Sequence, residues 1–285
     1  MNKNNFKTVV LLAGLGGALI LVGSMFGRAG AAIGFGIGLV FVGGSYWFSD
    51  KIAIAAARAK PVTESEAPAL YRIVRDITTR ASMPMPRLYV TPDLQPNAFA
   101  TGRNENHAAV AVTSGIMQLL DEHELRGVLA HELAHVKNRD VLTSSVAAAV
   151  AMGITFIARM AMWGAIFGGG GRDDDSNPIG LLAMAILAPV AAMILQMAIS
   201  RSREFEADHD GAELIGDPEP LARALEKMQS AAKQIPMKVD PALATLYIVN
   251  PLTGRKASFS KLFMTHPPTE ERLARLREMK YGSPA

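Results

Sequence analysis

The sequence predicts a mostly helical α+β chain, in which four transmembrane helices carry a water-soluble domain with a small β-sheet. Two observations predict it. Long charge-free stretches alternate with well-charged sequence, and the well-charged part mixes helical periodicity with short β-like runs. Of 285 residues, 49% are hydrophobic and 19% charged, an apolar lean for a soluble protein. The net charge of +3 is modest, and its Lys and Arg lack interleaved aromatics, so no nucleic-acid partner is expected. Cysteine is absent, so any metal must be held by imidazole and carboxylate.

The apolar segments come first in the chain. Thr8–Gly27 and Gly30–Ser49 carry no charge, and each has about 20 residues, enough to cross a bilayer core as a helix. Only Arg28-Ala29 separates them, which favours a retained helical hairpin over a cleaved signal peptide. A third segment, Val141–Gly171, has Arg159 as its only charge, placed to snorkel to the far interface. A fourth, Pro178–Ser200, has none. Small residues at Gly30, Gly34 and Gly38 suit close helix packing. The basic flanks (Lys3, Lys7, Lys51, Arg58, Lys60, Lys137, Arg139, Arg201, Arg203) all fall on one side of these spans. That side should be the cytoplasm, with both termini there and the acidic loop of Asp173, Asp174 and Asp175 outside. The organisation expected is a transmembrane hairpin over 1–50, a soluble part over 51–140, a second helical pair over 141–200 and a second soluble part over 201–285.

In the soluble parts, Pro61 to Glu66 opens an amphipathic helix with Leu70, Ile73, Val74 and Ile77 on one face. Arg87–Val90 reads as a strand. Asn97–Thr101 and Ala108–Thr113 flank a polar turn and read as a hairpin. Ser114 leads into one helix, and Asp121 to Glu124 caps the next. The chain is helical again after Glu204, then rich in breakers from Pro236 to Gly254, with a last helix from Pro268.

The chemistry centres on His131-Glu132-Leu133-Ala134-His135. Two histidines at i and i+4 share one helix face, so both imidazoles reach one ion. Glu132 stands at the rim of that face, placed to take a proton from the attacking water and return it to the leaving amine. A third ligand is required. Where one class of such enzymes has a further His after a Gly, this chain has Asn138 and Val141, so that class is excluded. The other class uses a Glu from a later helix with an Asp four residues on, and Glu204 with Asp208 fits. Glu204 would ligate and Asp208 would hydrogen-bond a ligand imidazole. Glu206 points elsewhere.

These motifs, with Asn97-Ala98-Phe99-Ala100 and Thr265-His266-Pro267-Pro268, resemble the HtpX-type membrane metalloproteases, relatives of the CAAX prenyl proteases. The resemblance runs over nearly the whole chain. It implies a cytoplasmic gluzincin-like domain with one Zn2+ per chain, held by His131, His135 and Glu204, with Glu132 as catalytic residue. It also implies a stress-linked endopeptidase of the bacterial inner membrane, with misfolded or damaged membrane proteins as substrates and the lipid bilayer as partner. The competing readings are a processing protease for one defined substrate, acting through the same residues, and a degenerate membrane scaffold. The full set of ligands and base speaks against the scaffold.

Two features stay open at the level of sequence. His266 either stabilises the oxyanion or simply starts the last helix. Asn97, Ala98 and Phe99 either form an edge to which a peptide substrate adds as a strand or belong to an ordinary hairpin. His107, His123 and His209 read as surface residues.

Overall fold

A computed structural model describes residues 13, 17, 27–151, 201–235, 246–249 and 267–281. The first, third and fourth apolar segments lie outside the described residues, apart from residues 13, 17 and 27 of the first and the opening turns of the third. The second falls within helix α1 (Gly27–Ala56), whose Phe35, Leu39, Val40, Trp47 and Phe48 are exposed. No helix among the described residues is both long and apolar enough to cross a membrane.

Four strands form one sheet: β1 (Lys60–Pro61), β2 (Arg87–Thr91), β3 (Ala98–Thr101) and β4 (Ala109–Thr113), in the order β1-β2-β4-β3. β2 and β4 run parallel, and β3 returns antiparallel to β4 with Phe99 opposite Ala111, as the hairpin reading expects. β3 is therefore an edge strand. Helix α2 (Pro68–Ala81) buries Leu70, Ile73, Val74 and Ile77, the apolar face read from the sequence. It begins later than Thr63, because Glu66 turns back to accept from the Thr63 N–H at 2.7 Å. Pro68 then opens the helix, where a missing N–H costs nothing.

Short helix α3 (Ser114–Leu119) leads into α4 (Glu122–Lys137), the central helix. A capping box starts α4: Asp121 accepts from the Glu124 N–H at 2.8 Å, and Glu124 accepts from the Asp121 N–H at 3.1 Å. Val128, Leu129 and Leu133 are fully buried along it. Residues 140–151 form α5, followed after the undescribed stretch by α6 (Arg201–Ile215), α7 (Glu219–Gln234) and α8 (Thr269–Tyr281). α4 packs against α2, β3, α6 and α7, and α8 closes over α6 and α7.

Two glycines on α4 and α6 permit close helix–helix approaches. A Cβ on Gly127 would stand 2.4 Å from the Leu221 backbone nitrogen of α7. One on Gly211 would stand 2.9 Å from the His131 backbone nitrogen of α4. The missing side chain at Gly211 is what lets α6 lie directly on the motif helix.

Candidate metal centre

That approach brings the ligand candidates together. One ligand atom each from His131, His135 and Glu204 lies within 4.8 Å of the others. His131 Nε2 is 3.9 Å from one Glu204 carboxylate oxygen, and His135 Nε2 is 3.4 Å from the other. Both rings therefore turn Nε2 inward and leave Nδ1 for a supporting group. Behind His131 that group is Asp208, 2.8 Å from Nδ1. Glu204 and Asp208, four apart on α6, thus share a face as their spacing anticipates, and Glu206 is exposed. Glu132 sits beside the cluster, where its Oε2 accepts from the Ala100 N–H of β3 at 2.8 Å. A small cavity joins His131, Glu132, His135 and Glu204 to Leu246 and Ile248.

Three residues of the site were not anticipated from sequence. Arg272 of α8, only 2% exposed, clamps both Asp208 oxygens at 2.6 and 2.8 Å and donates to the Ile248 carbonyl at 3.1 Å. Asp140 lies 3.3 Å from His135 Nδ1. Arg203, the residue before Glu204, reaches within 3.8 Å of Asp140. No periodicity links Arg272 to Asp208, since they are 64 positions apart. A signal for Asp140 exists only in hindsight: it is the first carboxylate beyond the end of the motif helix.

The electrostatics fit a cation. Burial disfavours an imidazolium at His131, and Arg272 adds to that against the pull of Asp208, so its pKa falls to about 4. Burial acts the same way on His135, but Glu204, Asp140 and Glu132 outweigh it and push its pKa up to about 10. The cluster of carboxylates thus draws a positive charge into a buried place. Two imidazoles and one carboxylate, with no thiolate, form a donor set suited to zinc with one position open. A second group, His209, Asp210 and Glu213, also converges, but on the exposed side of α6.

The expected substrate edge is placed differently from an open strand. Asn97, Ala98 and Phe99 are all buried. The Ile248 N–H donates to the Ala98 carbonyl at 3.2 Å, and the Asn97 side chain pairs with both the N–H and the carbonyl of Val249 at 3.2 and 2.7 Å. Tyr247 meets Phe99 edge to face at 5.2 Å. The chain's own 246–249 segment therefore lies antiparallel along the first half of this edge. His266 lies outside the described residues.

A helix bearing His-Glu-x-x-His, completed by a Glu from a later helix, defines a metal-dependent peptidase. The chain belongs to peptidase family M48, whose sequence profile matches residues 64–280. A protease HtpX homologue of Syntrophobacter fumaroxidans is 54% identical over 282 residues, covering 97% of this chain and 99% of that one. One from Pelotomaculum thermopropionicum is 54% identical over 280 residues, with 97% and 99% covered. The crystal structure of S. mikatae Ste24p overlaps with a TM-score of 0.49 at 20% identity, over 95% of this chain and 64% of that one.

Proposed function

We propose that this M48 metalloprotease is a zinc-dependent endopeptidase of the bacterial inner membrane that hydrolyses misfolded or damaged membrane proteins. The observation that carries the reading is the convergence of His131, His135 and Glu204 beside Glu132, at the foot of a β-edge. The four apolar segments of the sequence support the membrane setting, with the catalytic domain on the cytoplasmic side and divided by the second apolar pair.

In this reading His131 Nε2, His135 Nε2 and Glu204 hold one zinc ion. When bound, zinc supplies a Lewis acid that polarises the scissile carbonyl and activates water. Glu132 accepts the proton of the attacking water and delivers it to the leaving nitrogen as the peptide bond breaks. Its Oε2 contact with Ala100 holds the carboxylate against β3, the edge that would present the peptide. Asn97, Ala98 and Phe99 serve as that edge only once 246–249 has left it, because Ile248 and Val249 hold its first half. His266 is assigned to stabilising the oxyanion as it forms.

Glu132→Gln tests the reading. It preserves shape but cannot take the proton, so zinc content should be unchanged while cleavage of an unfolded membrane substrate falls by about 10² to 10⁴. Activity near that of the wild type would remove Glu132 from its role.

A further inference from the structure

We propose that Asp140, with Arg203 behind it, positions His135 as a ligand in the way that Asp208 with Arg272 positions His131. The inference rests on the zinc reading above and extends it to a pair of residues outside the motif.

On an unbroken helix a residue five positions on is rotated by about 140° from its starting direction, so Asp140 would point away from His135. The helix is broken. Asn138 caps α4, and Arg139 takes the left-handed conformation at φ 61° before α5 starts. A residue with a Cβ rarely adopts that conformation. Its result is to fold Asp140 back until its carboxylate lies 3.3 Å from His135 Nδ1.

A neutral imidazole that ligates through Nε2 must carry its proton on Nδ1, and a carboxylate there fixes both tautomer and ring orientation. His135 has this arrangement, with Nε2 toward Glu204 and Nδ1 toward Asp140. His131 repeats it with Asp208.

Asp140 is 4% exposed, and an unbalanced buried carboxylate is costly. Arg203, itself 8% exposed, faces it at 3.8 Å, and the Arg203 Nη atoms have no hydrogen-bond partner among the described residues. One turn of α6 therefore delivers a ligand, Glu204, and the cation behind the opposite ligand. The two supports differ in tightness, since Arg272 clamps Asp208 at 2.6 and 2.8 Å. The His135 support is the looser of the two.

The competing role for Asp140 is that of a helix-start carboxylate at the first turn of α5. Zinc affinity separates the two. Full-length protein in detergent would be titrated with graded chelators, and the cobalt(II)-loaded form read by its visible absorption. Asp140→Leu should lose about 10- to 100-fold in zinc affinity with an altered cobalt spectrum. Asp140→Asn, which keeps an acceptor, should fall between it and the wild type. Arg203→Met should weaken zinc binding alone but add little to Asp140→Leu. Affinities within twofold of wild type for both Asp140 variants, with an unchanged cobalt spectrum, overturn the proposal even if their thermal stability drops. Should Asp140→Leu not fold, Asp140→Asn with wild-type affinity and spectrum overturns it alone. Failure of the underlying reading looks different: the wild type itself would then bind no zinc in the titration.

Discussion

Replacing Arg272 by Met should be among the most damaging single changes in the described core. The guanidinium is buried, donates to both Asp208 oxygens and to the Ile248 carbonyl, and lies 3.4 Å from His131 Nδ1. Burial alone would raise the Asp208 pKa, but Arg272 and then His131 outweigh it and lower it from 3.8 to about 2. That difference corresponds to about 2 kcal/mol of stability from Asp208 ionisation. Because the folded-state value is depressed, this stabilisation is present above the ordinary carboxylate pKa and is lost as pH falls toward about 2. Without Arg272 the sign reverses, since burial then favours the protonated acid. Stranding one partner of a buried pair costs about 3–5 kcal/mol. For a domain of this size that is a drop of about 6–20 °C in the unfolding midpoint. The assay is thermal unfolding of the metal-free protein in detergent, at pH 7.5 and again near pH 4.5. The deficit of Arg272→Met should be full at the higher pH and narrow at the lower, where Asp208 in the variant is protonated and no longer needs a partner. Arg272→Lys should sit between, because a single ammonium cannot bridge both oxygens. A deficit below about 1 kcal/mol, or one independent of pH, would refute the clamp.

Two further outcomes follow from the same geometry. Gly211→Ala puts a methyl group 2.9 Å from the His131 backbone nitrogen, so α6 must shift from α4 and carry Glu204 with it. Zinc affinity should drop about 10-fold or more with helical content retained, measured by chelator competition and circular dichroism; unchanged affinity would show that the helices are not in register-setting contact. In the metal-free protein His135 is charged at neutral pH and His131 is not. Zinc binding at pH 7 should therefore release about one proton per chain, counted by calorimetry in two buffers of different ionisation enthalpy; release near zero would contradict the charge assignment.

The sequence made some parts of this structure legible and hid others for physical reasons. The capping box at Asp121 and Glu124, the apolar face of α2 and the β3–β4 hairpin are local, set by spacing within a few residues. The pairing of His131 with His135 and of Glu204 with Asp208 is helical arithmetic, and those side chains meet where that arithmetic places them. The remainder depends on tertiary placement. Asp140 reaches His135 only because Arg139 adopts a left-handed conformation that its side chain gives no hint of. Arg272 meets Asp208 only because α8 crosses α6, and its position in a charged, surface-like helix disguises a buried role. The cover on the Asn97–Phe99 edge comes from a segment that reads as a breaker-rich connection.

Anomalous diffraction at the zinc edge, from crystals of the zinc-loaded full-length protein, tests the central claim most directly. A single strong peak should lie about 2.0–2.2 Å from His131 Nε2, His135 Nε2 and a Glu204 carboxylate oxygen. Relative to the present positions, in which those atoms are up to 4.8 Å apart, only small side-chain adjustments are needed. A dominant peak at the exposed His209, Asp210 and Glu213 group, with none between the two motif histidines, would contradict the account.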